Sequence, residues 1–253
     1  MTVFGDYACF YDLLYADKDY AGEVQYVAGL IQRFAPSSRS LLDLGCGSGR
    51  HARLFAEQGF EVAGVDRSAE MLRQASSQTA NGASQKVSFT QGDIRTIRMG
   101  QTFDTVLAMF HVMSYQNSND DFVAALRTVR AHLAPGGVFI FDCWYGPGVL
   151  SDRPSVRFKE VENEAIKVLR VATPAVNPNT NVVDVEYRIM VIDKRTGTCT
   201  ELRENHAMRY FFLPEIELLC RQNGLNLVQS YAWLSERAPG FDSWYACAVC
   251  IAR

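Results

Sequence analysis

Apolar residues follow two different rhythms along this chain. In the first half, short apolar runs at 40–44, 61–65, 86–90, 103–109 and 138–142 alternate with stretches at 20–34, 50–58, 69–77 and 121–133, where apolar residues recur every three or four positions. Strand-length runs alternating with helical periodicity predict βαβ units and a parallel sheet with right-handed crossovers. Beyond Pro147 the rhythm changes to long strand-like stretches at 164–173, 182–193 and 199–212, with turns at Asn177-Pro178-Asn179-Thr180 and Lys194-Arg195-Thr196-Gly197. Val183, Val185, Tyr187, Ile189 and Val191 alternate with Asp184, Glu186 and Arg188, so one face of that strand is expected to be covered. Pro214 suits the first turn of a helix ending before Gly224, and 225–231 and 244–251 read as two closing strands. The expected fold is therefore α/β and doubly wound, a mostly parallel seven-stranded sheet with one antiparallel strand in its terminal pair. Its expected parts are an N-terminal helical segment (1–37), a ligand-binding core (38–150), an antiparallel β insertion serving as a lid (151–213), and a C-terminal helix with the closing strands (214–253).

The chain has 253 residues, long enough for a substantial core, and 25 Lys and Arg stand against 28 Asp and Glu. A formal charge of −3 leaves no basic field for a nucleic-acid backbone or an anionic membrane, so neither partner is expected. The start lacks the order of a signal peptide and no apolar run approaches a membrane span, which points to the cytoplasm. The seven cysteines are scattered and odd in number, unlike a disulfide framework, and Cys247-Ala-Val-Cys250 lies in a strand whose residues three apart face opposite sides. No metal set is evident. Residues 109–116 contain no acidic ligand, so magnesium is not expected.

The sharpest local signal is Leu41-Leu42-Asp43-Leu44-Gly45-Cys46-Gly47-Ser48-Gly49, a strand running into three alternate glycines that permit positive φ and close ligand approach. A dinucleotide loop spaces its glycines G-x-G-x-x-G, and the third position here is Arg50, which argues against a pyrophosphate. Asp43 beside the loop favours a cationic ligand. Asp66 ends the second strand, where a carboxylate can accept both ribose hydroxyls, and Asp93 follows the third, where it can bond an adenine amine.

Leu42 to Gly49, Val65-Asp66, Gly92-Asp93-Ile94, Phe103-Asp104 and Leu133-Ala134-Pro135-Gly136-Gly137 occur in an order that resembles the class I S-adenosylmethionine-dependent methyltransferases, with their Rossmann-like sheet. The resemblance implies S-adenosylmethionine as methyl donor and S-adenosylhomocysteine as product. It places Gly45, Gly47 and Gly49 along the methionine part, Asp66 at the ribose, Asp93 at the adenine amine, Ile94 and Met71 on the ring and Phe110 on the methyl side, with Asp43, Arg67 and Met109 as further cofactor-binding candidates. A narrower likeness covers most of the chain and concerns enzymes that N,N-dimethylate nucleotide-linked amino sugars. It rests on Tyr11-Asp12-Leu13-Leu14-Tyr15, Lys18-Asp19-Tyr20, Met109-Phe110, Trp144-Tyr145, the insertion, and the segment from His206 to Gly224. It implies Tyr11 over the methyl donor and Tyr20 near its carboxylate. Two departures stand out: Trp144-Tyr145 replaces a Trp-Trp pair, and Pro239-Gly240-Phe241-Asp242 replaces a Ser-Gly-Arg-Gly-like stretch.

An amine or hydroxyl acceptor must lose a proton, and His111 or Tyr115 near the end of strand four can take it, with Tyr11 as a further catalytic candidate. His206 is an alternative carried by the insertion, whereas His51 and His132 read as helix-surface residues. Trp144, Tyr145, His206 and Arg209 are the candidate acceptor-binding residues. The expected function is methyl transfer to N or O of a small molecule, an amino sugar or sugar nucleotide among them, with a homodimer left open. An NAD(P)-dependent oxidoreductase and an S-adenosylmethionine-binding module without turnover are the rival readings.

Overall fold

The structure, a computed structural model, describes residues 8–80 and 86–253, and the side chains of residues 8, 9, 11, 79 and 80 lie outside the description. The strands β1 (Ser40–Leu44), β2 (Glu61–Asp66), β3 (Val87–Gln91), β4 (Phe103–Ala108) and β5 (Leu133–Tyr145) pair in parallel in the order β3-β2-β1-β4-β5. β11 (Tyr245–Ala252) then runs antiparallel to β5 and pairs with β10 (Leu225–Ala232). This is the expected α/β sheet, and its strand order reverses beside β1, the place where such sheets take their ligands, at the carboxyl ends.

Strand alternation splits the apolar residues between two faces. Leu41, Val62, Leu107, Val138 and Ile140 pack against Val24, Val27, Leu30 and Ile31 of α2 (Tyr20–Phe34) and Phe55 of α3 (Arg50–Glu57). Leu42, Leu44, Val65, Val106, Phe139 and Phe141 meet Phe122, Leu126 and Val129 of α5 (Asn119–His132) and Ile216 and Cys220 of α7 (Leu213–Gln222). α2 begins where Asp19 Oδ1 accepts the Gly22 N–H (2.8 Å), and α5 where Ser118 Oγ accepts the Asp121 N–H (3.0 Å). Between these helices the chain also forms α4 (Ala69–Ala80), and a short α1 (Ala8–Leu14) precedes them.

After α6 (Gly146–Ser151), the insertion is a four-stranded antiparallel meander: β6 (Arg157–Glu162), β7 (Ile166–Asn177), β8 (Val182–Asp193) and β9 (Cys199–Phe211). β6 has no counterpart among the strands expected from sequence, because Arg-Phe-Lys-Glu-Val-Glu offers few apolar residues and an edge strand buries little. β5 extends past the end of β4, and Trp144 and Tyr145 pair with Tyr210 and Phe211 of β9. One continuous ladder thus runs from core to insertion. The covered face of β8 behaves as its alternation requires: Ile189 and Val191 join Val168 and Leu14 of α1, and Val183 and Val185 pack near Tyr210 and Val149.

Two histidines depart from expectation. His51 is 7% and His132 1% exposed, although each lies on a helix read as surface-facing at that position. His132 is enclosed because Nε2 accepts the Met99 N–H (2.9 Å) while Nδ1 meets the Thr128 carbonyl (2.7 Å). His51 is enclosed because Nε2 meets Glu23 Oε2 (2.8 Å).

Candidate active site

β1 delivers Asp43 and Leu44 to this edge of the sheet, and the chain then turns with φ +77° at Gly45, +55° at Gly47 and +73° at Gly49. A Cβ on Gly45 would stand 2.5 Å from Val112 Cγ2, and one on Gly49 2.6 Å from the Phe89 ring, so sterics as well as φ demand glycine there. The Gly47 N–H donates to Asp66 Oδ2 (2.9 Å), and Asp66 Oδ1 accepts the Ser68 N–H (2.8 Å). Asp66 therefore ties the loop to the head of α4. Burial pushes its carboxyl up, and the two amide bonds oppose that only in part.

Asp43 is 2% exposed, and its Oδ2 has no hydrogen-bond partner. Burial raises its carboxyl from 3.8 to about 6, with the neighbouring His51 opposing the rise and the Asp66 charge adding to it. An orphaned buried carboxylate beside a cradle of glycine backbone matches a ligand that brings positive charge. Asp66 adds acceptors for hydroxyls, and the buried side chains of Met71 and Ile94 supply apolar surface. These residues fit S-adenosylmethionine, whose charged parts are an ammonium and a sulfonium.

Asp93, Arg67 and Met109, also expected at the methyl donor, have other partners or surroundings in the structure. Both Asp93 oxygens are taken by Arg95, Oδ1 from Nε (3.0 Å) and Oδ2 from Nη2 (2.6 Å), which holds this carboxyl below the usual range. Asp93 as found here is an ion-pair partner. Arg67 is exposed, and its carbonyl accepts from Gln91 Nε2 (3.1 Å). Met109 is buried in the core against α2 and α3. The Tyr11 side chain lies outside the described residues.

Tyr20 is buried where cations gather, with the Lys18 ammonium 4.4 Å and the Arg50 guanidinium 5.0 Å from its ring centre. Glu23 bridges Lys18 and His51 beneath it. Burial alone would raise the Glu23 carboxyl, but its bonds to His51 and Lys18 outweigh that and leave it lowered. α1 is fastened to the loop from above: Ser48 Oγ donates to Asp12 Oδ1 (3.0 Å), and Arg50 Nε lies 3.3 Å from the same oxygen.

The residues expected at the acceptor begin where β4 ends. Phe110 and His111 both sit at φ 65°, the left-handed region that costs a non-glycine residue about 1–3 kcal/mol. Such strain is held by surroundings, and here they are specific. The His111 N–H donates to both oxygens of Asp142 (3.1 Å each), and its ring lies flat on Tyr245, with centroids 4.4 Å apart and planes at 20°. His111 Nδ1 stands 2.5 Å from Asp142 Oδ2, close enough for an ion pair though off the hydrogen-bonding line. The Tyr15 ring meets Phe110 edge-on at 5.1 Å, and the Lys18 ammonium lies 4.6 Å over Phe110.

Across from this wall, Tyr115 Oη lies 2.8 Å from His206 Nδ1, and His206 Nε2 lies 3.0 Å from Glu204 Oε2. Burial drives the Tyr115 phenol well up. Tyr187 tilts on His206 at 4.6 Å, and Arg170 lies over Tyr187 while donating to Tyr15 Oη (3.1 Å). Tyr115 and His206, named separately in the sequence, are thus one hydrogen-bonded unit. Trp144 packs on Trp244 with centroids 5.3 Å apart, and Tyr145 is buried at the end of β5. Arg209 is not among these residues. It is 5% exposed, bound to Asn119 (2.6 Å) and Glu215, and laid on Phe211, because its place in β9 turns it away from the covered face that carries His206.

Asp142, Tyr245, Tyr187, Arg170 and Glu204 contact the candidate residues and were not singled out in the sequence. Asp142 had a signal, a lone carboxylate closing the apolar run Val138-Phe139-Ile140-Phe141. Among the described residues no group of His, Cys, Asp and Glu is placed to hold a metal, and no helix is long and apolar enough to cross a membrane.

Residues 41–137 match a family model described as a methyltransferase domain. The chain is 31% identical over 224 residues to the dTDP-3-amino-3,4,6-trideoxy-alpha-D-glucopyranose N,N-dimethyltransferase of Streptomyces venezuelae, covering 88% of this chain and 91% of that protein. Among solved structures, Streptomyces venezuelae DesVI superposes with a TM-score of 0.81 at 26% identity, over 99% of this chain and all of that one. CalS10 of Micromonospora echinaspora, an amino pentose methyltransferase solved with S-adenosylmethionine, superposes with a TM-score of 0.76 at 26% identity, covering 100% of this chain and 99% of that one. With the glycine loop and the acidic strand ends in place, the chain belongs to the class I S-adenosylmethionine-dependent methyltransferases, in the small-molecule family that includes the sugar N,N-dimethyltransferases.

Proposed function

We propose that this enzyme methylates the amino nitrogen of a nucleotide-linked amino sugar, with S-adenosylmethionine bound by Asp43, the Gly45–Gly47–Gly49 loop, Tyr20, Asp66, Met71 and Ile94. The observation that carries the reading is the extent of the likeness to the Streptomyces venezuelae dimethyltransferase, whose alignment takes in 88% of this chain, far more than residues 41–137. Bound at that loop, S-adenosylmethionine supplies a methyl group on a positively charged sulfur.

The chain's own residues then have separable tasks. Asp43 and Asp66 give the site a negative character that favours the cationic methyl donor over its neutral-sulfur product. The walls built from Phe110, Tyr245, Tyr187 and Trp144 exclude water and hold the acceptor near the carboxyl edge of the sheet. Such positioning is worth about 7–11 kcal/mol of barrier when the reacting atoms are aligned. His111 takes the proton that the acceptor nitrogen must lose, a contribution of about 10²-fold or more.

The test is product analysis. The purified enzyme is incubated with S-adenosylmethionine and dTDP-linked amino sugars, and mass shifts of one and two methyl groups are sought. His111→Ala is expected to bind S-adenosylhomocysteine as the parent does and to turn over at least about 10²-fold more slowly. Methylation of phenols or free amines in preference to every sugar nucleotide would overturn the choice of acceptor, and unchanged turnover in His111→Ala would remove that residue from proton transfer.

A further inference from the structure

We infer that Asp142 is a positioning residue for the reaction, fixing His111 as the tautomer with its proton on Nδ1 so that Nε2 is the atom that accepts the acceptor's proton. The use made of that nitrogen rests on the methyl transfer proposed above; the tautomer does not.

Asp142 is 1% exposed at the end of a strand otherwise lined by Val138, Phe139, Ile140 and Phe141. A carboxylate there is costly unless charge-complementary groups surround it. Among the described residues, the hydrogen-bonding and ion-pairing groups that meet its carboxylate come from one residue: the His111 N–H reaches both oxygens (3.1 Å each), and Nδ1 stands 2.5 Å from Oδ2. An ionised carboxylate has only acceptor sites, so the ring nitrogen facing it must carry hydrogen. At 2.5 Å that N–H faces the oxygen, though off the straight hydrogen-bonding line.

The other nitrogen is placed differently. Nε2 makes no hydrogen bond among the described residues and, unlike Nδ1, is not an enclosed atom; the side chain as a whole is 13% exposed. Tyr245 beneath the ring and the bidentate grip on the main chain restrict its rotation. The left-handed φ at Phe110 and His111 shows that the fold accepts strain to keep the pair there. A base backed by a buried carboxylate that selects its tautomer is a known catalytic arrangement.

In the step, the acceptor nitrogen's lone pair forms the new N–C bond as the S–C bond breaks with its electrons onto sulfur. The nitrogen's proton passes to Nε2, making an imidazolium whose Nδ1–H faces Asp142. Asp142 takes up no proton in the step, and the imidazolium returns its proton to water.

Long-range ¹H–¹⁵N NMR on histidine-labelled enzyme reads the tautomer directly, with the His111 signals assigned by their loss in His111→Gln. The expected result is Nδ1–H with a bare Nε2 in the neutral ring. In Asp142→Asn, whose amide can donate to Nδ1, the proton is expected on Nε2. Turnover of that variant should fall about 10²-fold with KM for acceptor and affinity for S-adenosylhomocysteine little changed, and the loss should vanish when His111 is already Gln. A neutral wild-type ring protonated on Nε2 overturns the inference, and so does an equal loss from Asp142→Asn in the His111→Gln background. Should Asp142→Asn fail to fold, the wild-type spectrum alone decides. Should no sugar nucleotide be methylated, the choice of acceptor fails while the tautomer is still read.

Discussion

Asp43→Asn should make the ligand-free enzyme more stable and its methyl-donor site worse. Burial raises the Asp43 carboxyl from 3.8 to about 6, an offset of about two pH units, and each unit is about 1.4 kcal/mol. Because the folded state holds this proton more tightly than the unfolded chain, ionisation works against folding. The penalty is absent when both states are protonated, grows from about pH 4 to about pH 6, and levels off above that at about 3 kcal/mol. Asparagine keeps the shape without the charge. For a chain of this length the variant should melt about 6–12 °C above the parent at pH 8, with the gap closing toward pH 4. Calorimetric titration should show the reverse order for S-adenosylmethionine: at least tenfold weaker binding in the variant above pH 7, and convergence of the two proteins below about pH 5. Thermal scans at pH 4.5, 6 and 8 suffice to check the first part. A melting gap that does not change with pH would refute the reasoning, since the argument attributes the whole effect to one titrating group.

Asp66→Ala removes the acceptor of the Gly47 and Ser68 amides as well as the proposed ribose ligand, and should weaken binding of S-adenosylhomocysteine more than tenfold by calorimetry, with a stability loss of about 2 kcal/mol. Glu23→Ala leaves Lys18 and His51 without the carboxylate they share, and should cost about 3–5 kcal/mol by urea unfolding. The Glu23 carboxyl is lowered by folding, so this contribution is present above its ordinary range near 4.5 and is lost as the pH falls through the folded value. Arg209→Met should lower stability by about 3 kcal/mol while leaving KM for the acceptor unchanged; a raised KM with intact stability would restore Arg209 as a substrate ligand.

What could be read from the sequence was what neighbours along the chain determine. The parallel strands followed from local rhythm, and the glycine loop from three residues whose left-handed φ is a property of the loop itself. The losses were pairings between distant residues. His51 read as a surface residue because nothing near it announces Glu23, and His132 because Met99 lies across a loop. Arg209 looked available until Asn119 and Glu215 closed on it. The same blindness hid Asp142: its carboxylate was visible as an oddity in an apolar strand, but its meaning depended on a histidine 31 residues earlier.

The splice between β5 and β9 has a kinetic consequence. Because Trp144–Tyr145 and Tyr210–Phe211 share main-chain hydrogen bonds, the insertion cannot swing outward without tearing the ladder that also carries the core. Among the described residues the N-terminal segment is held to the rest by side chains instead: Asp12 to Ser48 and Arg50, Asp17 to Lys159, Tyr15 to Arg170, and Leu14 buried against Val168 and Ile189. Side-chain contacts can part without breaking a main-chain ladder, so if release of a covered product sets the pace, as in many enzymes, substitutions at Leu14 or Asp12 are expected to change turnover more than substitutions at the β5–β9 splice.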